Sequence, residues 1–327
     1  MITLTRYSFA IITTLFAFSL WSIPSFAAET TVTVELNWFP EVDDGGIYEA
    51  LAEGLYKKVG LNVKVISGGE KPHGQIELAA RRYDFYTGGE MGILRAIKAG
   101  LPVEAVGCML QMPLTAIITH TNVHSLINLK GHPILVSENG RSSYWPWLQK
   151  KYHFSKSQRQ PYLGSIAPFL EDNNIAQQGY ITYEPFIINE HKVNCNVFLL
   201  SKIGLPGQGE LIETNSNYAM KHPEVVKRFL LATIEGYKNY LSNPKLGNLL
   251  IFKANPSVGI STLEYGYSVL KKGCFITGNK CRIQDIGQLN QSSWRQTYAF
   301  MVKWKLLPSG VNYMSGYNSS YLPKAVQ

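Results

Sequence analysis

A chain of 327 residues with 45% apolar and 17% charged side chains has the composition of a globular protein and excludes a disordered or fibrous one. Its net charge of +8 comes from Lys and Arg scattered along the chain, without the basic stripe of a nucleic-acid surface, so no nucleic-acid partner is expected. The four cysteines form no C-x-x-C pair, and neither a metal site nor a cofactor is expected.

Arg6 precedes an apolar run from Phe9 to Ile23 that closes on Pro24-Ser25-Phe26-Ala27. Ser25 and Ala27 stand where a cleavage site needs small residues, so 1–27 reads as a secretory signal peptide and the mature chain is expected to start at Ala28. No later run approaches ~18 apolar residues, so the mature product is predicted to be soluble; it is also expected to be periplasmic and monomeric. In that oxidising compartment Cys274 and Cys281, flanking a turn-rich loop, are the expected disulfide, while Cys108 and Cys195 sit in apolar runs as small core residues.

Thr31–Leu36 alternates as a strand, and Gly46–Gly60 carries Ile47, Leu51, Leu55 and Val59 on one helical face that ends at Gly60. Strands over 61–66, 84–87 and 103–109 then alternate with helices over 73–83 and 91–99, a rhythm that predicts a parallel sheet with helices on its faces. A second α/β unit follows, with strands over 133–137, 179–183 and 193–200 and helices over 143–152 and 166–173. Beyond His222 the chain is mainly helical, with segments over 222–240, 246–253, 262–271 and 286–306; Val226, Phe229, Leu230, Thr233, Tyr237 and Tyr240 share one face. Joining strands near 116–120 and 210–214 make the middle unit an insertion. The expected lobes are 28–119 with 211–327, and 120–210.

Ligands of open α/β sheets bind beyond the C-terminal ends of strands, so the segments leaving strands deserve the closest reading. In Asn37–Tyr48, Trp38 and Phe39 follow a strand directly, Pro40 stiffens the exit, and Gly45-Gly46 permits close backbone approach. Asp44 has two readings, helix cap and ligand contact. Glu90 opens a helix after Gly-Gly, and its alternative role is a favourable charge at that N-terminus. Ser143 is read as a helix cap ahead of Pro146, with Tyr144 or Trp145 facing a cleft and Arg141 available to an anionic group or to a carboxylate on the opposing lobe. Glu184, fixed by Pro185, lacks a nearby cation in sequence and is read as a ligand contact in preference to a hinge salt bridge. No G-x-S-x-G, Walker or early G-x-G-x-x-G motif occurs, which suits a binder better than an enzyme.

Leu36-Asn37-Trp38-Phe39-Pro40 with Gly45-Gly46-Ile47-Tyr48, Gly88-Gly89-Glu90, Gln111-Met112-Pro113, Tyr144-Trp145-Pro146-Trp147, Gln177-Gln178-Gly179-Tyr180 and Glu184-Pro185 resembles the periplasmic solute-binding proteins of ABC importers related to thiamine-pyrimidine biosynthesis proteins. The resemblance covers most of the chain to about Tyr240. It implies a type II periplasmic-binding-protein fold, two α/β lobes with a hinge and a ligand cleft, delivering a small molecule to a permease powered by a separate ATPase. The expected ligand set is Asn37, Trp38, Asp44, Tyr48, Glu90, Gln111, Arg141, Tyr144, Trp145 and Glu184, with no catalytic residue. Family members bind aminopyrimidines, other heteroaromatics or small anions such as sulfonates and nitrate, and related enzymes make the pyrimidine using a cysteine cluster that this chain lacks. Glu41, Asp43, Asp44, Glu90 and Glu184 at the strand exits favour a neutral or cationic heteroaromatic over a sulfonate or nitrate.

Overall fold

The computed structural model describes residues 29–69 and 74–324, so the expected signal peptide lies outside the described residues. Strand β1 (Thr30–Glu35) alternates threonines with fully buried Val32 and Val34. It is followed by α1 (Gly45–Ala52), α2 (Leu55–Lys58), β2 (Leu61–Ile66), α3 (Gly74–Ala79), β3 (Phe85–Gly88), α4 (Glu90–Lys98) and β4 (Val103–Leu110). The single helix expected over 46–60 is two, because Gly54 takes a left-handed conformation at φ +66° between them.

The chain then builds a second sheet from β5 (Thr115–His120), β6 (Ile134–Val136), β7 (Arg159–Pro161), β8 (Ala176–Tyr180) and β9 (Cys195–Leu199). Between these lie α5 (Glu138–Ser142), α6 (Trp145–Tyr152), α7 (Ala167–Glu171) and α8 (Glu184–Glu190). Strand β10 (Glu210–Asn215) returns to the first sheet, and the chain continues through α9 (Ser216–Lys221), α10 (Pro223–Ser242), α11 (Lys245–Ala254), α12 (Ile260–Lys272) and α13 (Gln291–Lys303). The sheet orders are β2-β1-β3-β10-β4 and β7-β6-β8-β5-β9.

Neither sheet is purely parallel as the rhythm predicted. β10 runs antiparallel to β3 and β4, and β5 runs antiparallel to β8 and β9. A strand that arrives from the other lobe enters without a crossover helix, and that lifts the requirement for parallel pairing. All of β5 belongs to the second sheet, so the chain crosses between sheets at Gln111–Leu114, ahead of the expected boundary at 119/120.

The strand expected over 179–183 is β8, three residues earlier. Its polar Gln177-Gln178 disguised it, and Tyr183 N closes a turn on Tyr180 O before α8 begins with Pro185 in its first turn. Ser143 is not the N-cap of α6 but the C-cap residue of α5, and its hydroxyl donates back to Asn139 O; Ser137 is the N-cap of α5, accepting from Gly140 N. The last predicted helix is shorter than 286–306 because Asn290 caps α13 through its side chain.

Helix α10 buries the predicted face, with Phe229 stacked on Phe85 of β3 at 3.9 Å and Tyr237 and Tyr240 against α1. Full burial of one such ring contributes roughly 2–3 kcal/mol. Cys274 and Cys281 form the expected disulfide, and Cys108 is buried in β4. No helix among the described residues is long and apolar enough to cross a membrane.

Candidate functional site

The segment leaving β1 is held by backbone before its side chains act. Leu36 N donates to Ile66 O (3.0 Å), Asn37 N to Thr87 Oγ1 (2.8 Å), and Gly68 N to Trp38 O (3.0 Å). Trp38 is half-buried and meets Phe39 edge-to-face at 5.5 Å, outside the hydrophobic cores. Pro40 turns the chain inward and its carbonyl accepts from Asn255 Nδ2 (3.0 Å). A single 3-10 turn over Val42–Asp44 then places Glu41, Asp43 and Asp44 in the interior.

The glycine pair explains how the acidic turn gets there. A Cβ on Gly45 would stand 2.3 Å from the Tyr240 ring, and one on Gly46 2.1 Å from the Tyr237 ring. The close approach is therefore between α1 and α10, and it seats the turn at the junction of the lobes. The Tyr237 hydroxyl donates to Asp43 O (2.7 Å) and lies 3.3 Å from Glu210 Oε1 at the start of β10.

The second lobe supplies the facing groups. Glu184 Oε1 accepts from the Tyr162 hydroxyl (2.8 Å) and Oε2 from Tyr180 N (2.6 Å). Gln178 Oε1 accepts from Ser137 N (2.7 Å) and from the Tyr144 hydroxyl (2.7 Å), which orients the start of α5 beside this wall.

Glu41, Asp43, Asp44, Glu184 and Glu210 thus share one buried region spanning both lobes, and none takes part in an ion pair among the described residues. Burial, reinforced by Asp43, Glu184 and Asp44, drives the Glu41 carboxyl well above the ordinary range. Burial lifts Asp43 to about 6 and Glu184 to about 7. Asp44 and Glu210 are raised well above normal, first by burial and then by neighbouring acids, Asp43 for Asp44 and Asp44 with Asp43 for Glu210. Asp44 Oδ2 accepts from Glu41 N (3.2 Å), whereas Asp43 Oδ1 and Asp44 Oδ1 have no partner among the described residues. As for capping, Asp44 occupies the N-cap of α1, but its side chain accepts no hydrogen bond from the first turn of that helix.

Of the expected ligand set, Asp44, Tyr48 and Glu184 meet here; the Tyr48 hydroxyl has its pKa raised by burial and then by Asp44. Tyr144 is linked to the same wall through Gln178, and Asn37 and Trp38 stand at the β1 exit. The others are elsewhere. Trp145 stacks on Phe154 at 5.8 Å in the second lobe's core. Glu90 accepts from Gln208 N (3.2 Å), Ser293 Oγ (2.8 Å) and Thr297 Oγ1, so it secures α13. Gln111 donates to the Asp285 and Gln288 carbonyls (both 3.0 Å), pinning the segment after the disulfide. Arg141 is exposed and paired with Glu138 (2.5 Å).

Sequence reading missed Glu210, Tyr162, Gln178, Tyr180 and Tyr237. Glu210 left a trace as the first of two carboxylates, with Glu213, in the strand ELIETN, and Gln178 and Tyr180 lay in a motif without being assigned to the ligand. His120 and His124 have a ligand-like spacing of four, yet His120 ends β5, stacks on Phe169 at 4.0 Å and bonds its carbonyl. No metal-binding group of three or more such residues occurs among the described residues.

Comparison with known proteins agrees with this architecture. The family described as NMT1/THI5 like matches residues 42–246. The riboflavin-binding protein RibY of Chloroflexus aurantiacus is 24% identical over 89% of this chain and 86% of its own length. A protein of Haemophilus influenzae named for thiamine biosynthesis is 28% identical over 36% of this chain and 38% of its own. In structure, the periplasmic aliphatic sulphonate binding protein SsuA of Escherichia coli superposes with a TM-score of 0.66 at 16% identity, covering 89% of this chain and 92% of that one. The fold extends to an enzyme, the desulfurization enzyme DSZB, at a TM-score of 0.57, 14% identity and 89% and 97% coverage. The chain belongs to the NMT1/THI5-like family and has the two-lobed fold of the periplasmic binding proteins.

Proposed function

We propose that the protein is the extracytoplasmic solute-binding component of an ABC import system. It captures a small heteroaromatic ligand of the thiamine-pyrimidine-precursor kind by hinge closure and delivers it to a membrane permease driven by a separate ATPase. The lobes would turn about the two crossings, 111–114 and 200–209, with Asn37, Trp38, Asp44, Tyr48 and Glu184 at the ligand. Export to the periplasm through the segment 1–27 and a monomeric state belong to the same reading.

The observation that carries the ligand class is the carboxyl cluster facing across the lobes. A sulfonate or nitrate site needs Arg, Lys or converging backbone donors, whereas this junction presents acceptors to a guest with N–H groups. Trp38, half-buried and outside the hydrophobic cores, is the aromatic ring proposed for stacking. A binding role is favoured over catalysis because the thiols are dispersed: Cys274 and Cys281 are joined, Cys108 lies in β4 and Cys195 in β9. A flavin ring is the second reading, favoured by the match to a riboflavin-binding protein along most of both chains.

Thermal-shift measurement with an aminopyrimidine, riboflavin and taurine tests this. A ring ligand at ~100 times its dissociation constant stabilises by about 2.7 kcal/mol. Stabilisation by taurine alone overturns the ring assignment, and turnover of any of them overturns the binding role.

A further inference from the structure

We infer that the guest of this cleft is an organic cation, whose positive charge takes the place of protons on the Glu41, Asp43, Asp44, Glu184 and Glu210 cluster when the lobes close. The inference rests on the reading of the junction as a ligand cleft, and it decides between a neutral and a charged occupant.

The electrostatics start from the sequence. Glu41, Asp43 and Asp44 are packed into one 3-10 turn, Glu210 opens β10 beside them, and Glu184 comes from the other lobe. All five are at least nine-tenths buried, at 7%, 4%, 2%, 2% and 6% exposure respectively. Ionised together in such surroundings they repel one another, and the repulsion is greatest in the closed arrangement, where Glu184 meets Glu41 and Asp43.

In the closed arrangement that repulsion is relieved by protons on the carboxyls or by a positive charge among them. Among the described residues, no Lys, Arg or His forms an ion pair with any of the five carboxyls. The elements packed around the cluster contribute hydroxyls, from Tyr48, Tyr162, Tyr180, Tyr183 and Tyr237, and each has its pKa raised by burial before any effect of the acids. The basic residues on those elements point elsewhere: Lys227 and Lys238 of α10 pair with Glu224 and Glu235, Arg228 donates to Val59 O, Lys271 of α12 donates to the Tyr267 hydroxyl, and Lys272 of α12 with Lys245 and Lys253 of α11 is exposed. Glu49 of α1 also faces away, accepting from Gly247 N.

A second, separate observation points to a guest. Asp43 Oδ1 and Asp44 Oδ1 are buried acceptors without a partner among the described residues, and so is Thr182 Oγ1 just ahead of Glu184. Buried acceptors are ordinarily satisfied, and leaving them bare is costly. A guest with N–H donors would satisfy the oxygens, and a guest that is also cationic would remove the repulsion. A neutral ring does only the first.

Calorimetric titration tests this with three probes: an aminopyrimidine made permanently cationic by methylation of a ring nitrogen, an uncharged pyrimidinone of the same size, and choline as a non-aromatic cation. Near neutral pH the pyrimidinium is expected to bind at least about tenfold tighter than the pyrimidinone, and its heat to vary with buffer ionisation enthalpy, showing release of roughly one proton or more. Its affinity is expected to fall by up to about tenfold per pH unit on acidification from about pH 6 to about pH 5, because protons compete for the same oxygens. Glu184→Gln, or Glu41→Gln if that variant folds poorly, is expected to reduce both the proton release and the preference for the cation.

Equal binding of the pyrimidinone without proton release overturns the cation inference and leaves the heteroaromatic cleft intact. Binding of choline with proton release, and of neither ring, upholds the cation and overturns the heteroaromatic reading. Failure of all three at ~1 mM overturns the inference.

Discussion

The Tyr162 hydroxyl donates to Glu184 Oε1 at 2.8 Å, so the second lobe fixes the carboxyl that it presents to Glu41 of the first. That bond is charge-assisted whenever Glu184 is ionised, and such bonds contribute about 1.5–3 kcal/mol. Tyr162→Phe should leave the fold intact, raise the Glu184 pKa further above about 7, and weaken ligand binding by roughly tenfold or more. Titration of the variant beside the parent protein checks this, and unchanged affinity would show that Glu184 does not need to be positioned.

Stability should depend on pH in an unusual direction for a protein rich in buried acids. The folded-state values of Asp43 and Glu184 are raised, from 3.8 to about 6 and from 4.5 to about 7. Both groups hold protons more tightly when folded, so their favourable contribution is full below about pH 4 and is lost as pH rises through about 6 and 7. The ligand-free protein is therefore expected to melt roughly 5 °C higher near pH 5 than near pH 8. Asp43→Asn with Glu184→Gln should flatten that difference, and a parent protein more stable at pH 8 would contradict the burial of these acids.

Gly46→Ala tests the seat of the acidic turn. The added Cβ would lie 2.1 Å from the Tyr237 ring and 2.7 Å from the Tyr237 Cα, so backbone must move. A loss of about 2–3 kcal/mol is expected in denaturant unfolding, together with weaker ligand binding as the turn shifts. A variant with unchanged stability would mean that α1 and α10 do not approach as closely as described.

The two tryptophans singled out by sequence should separate cleanly. Trp145 is buried with Phe154, and Trp145→Ala is expected to cost about 3–5 kcal/mol of stability. Trp38 lies outside the cores, and Trp38→Ala should cost no more than about 1 kcal/mol while removing most of the ligand-induced fluorescence change. Equal stability losses would contradict the different placement of the two rings.

What could be read from sequence followed the reach of its signals. The alternation of Val32 and Val34 and the apolar face of α10 are periodic and local, and they led to the right elements. Gly45-Gly46 announced a close approach, but nothing local says whether its partner is a ligand or the rings of Tyr237 and Tyr240 almost two hundred residues on. Glu90 and Glu184 look alike in sequence, each acidic at a helix start. Their fates differ because Ser293 and Thr297 return to Glu90, while Glu184 is left facing Glu41. The antiparallel β5 and β10 were also invisible, since their direction is set by the crossing between lobes and not by any pattern within the strands.

Small-angle scattering of the chain from Ala28 near pH 7, without ligand and with saturating aminopyrimidine, tests the central claim most directly. The account predicts that the radius of gyration falls on adding the aminopyrimidine, as the two lobes close on it, and does not change with taurine. Compaction by taurine with none by the ring compound would contradict it.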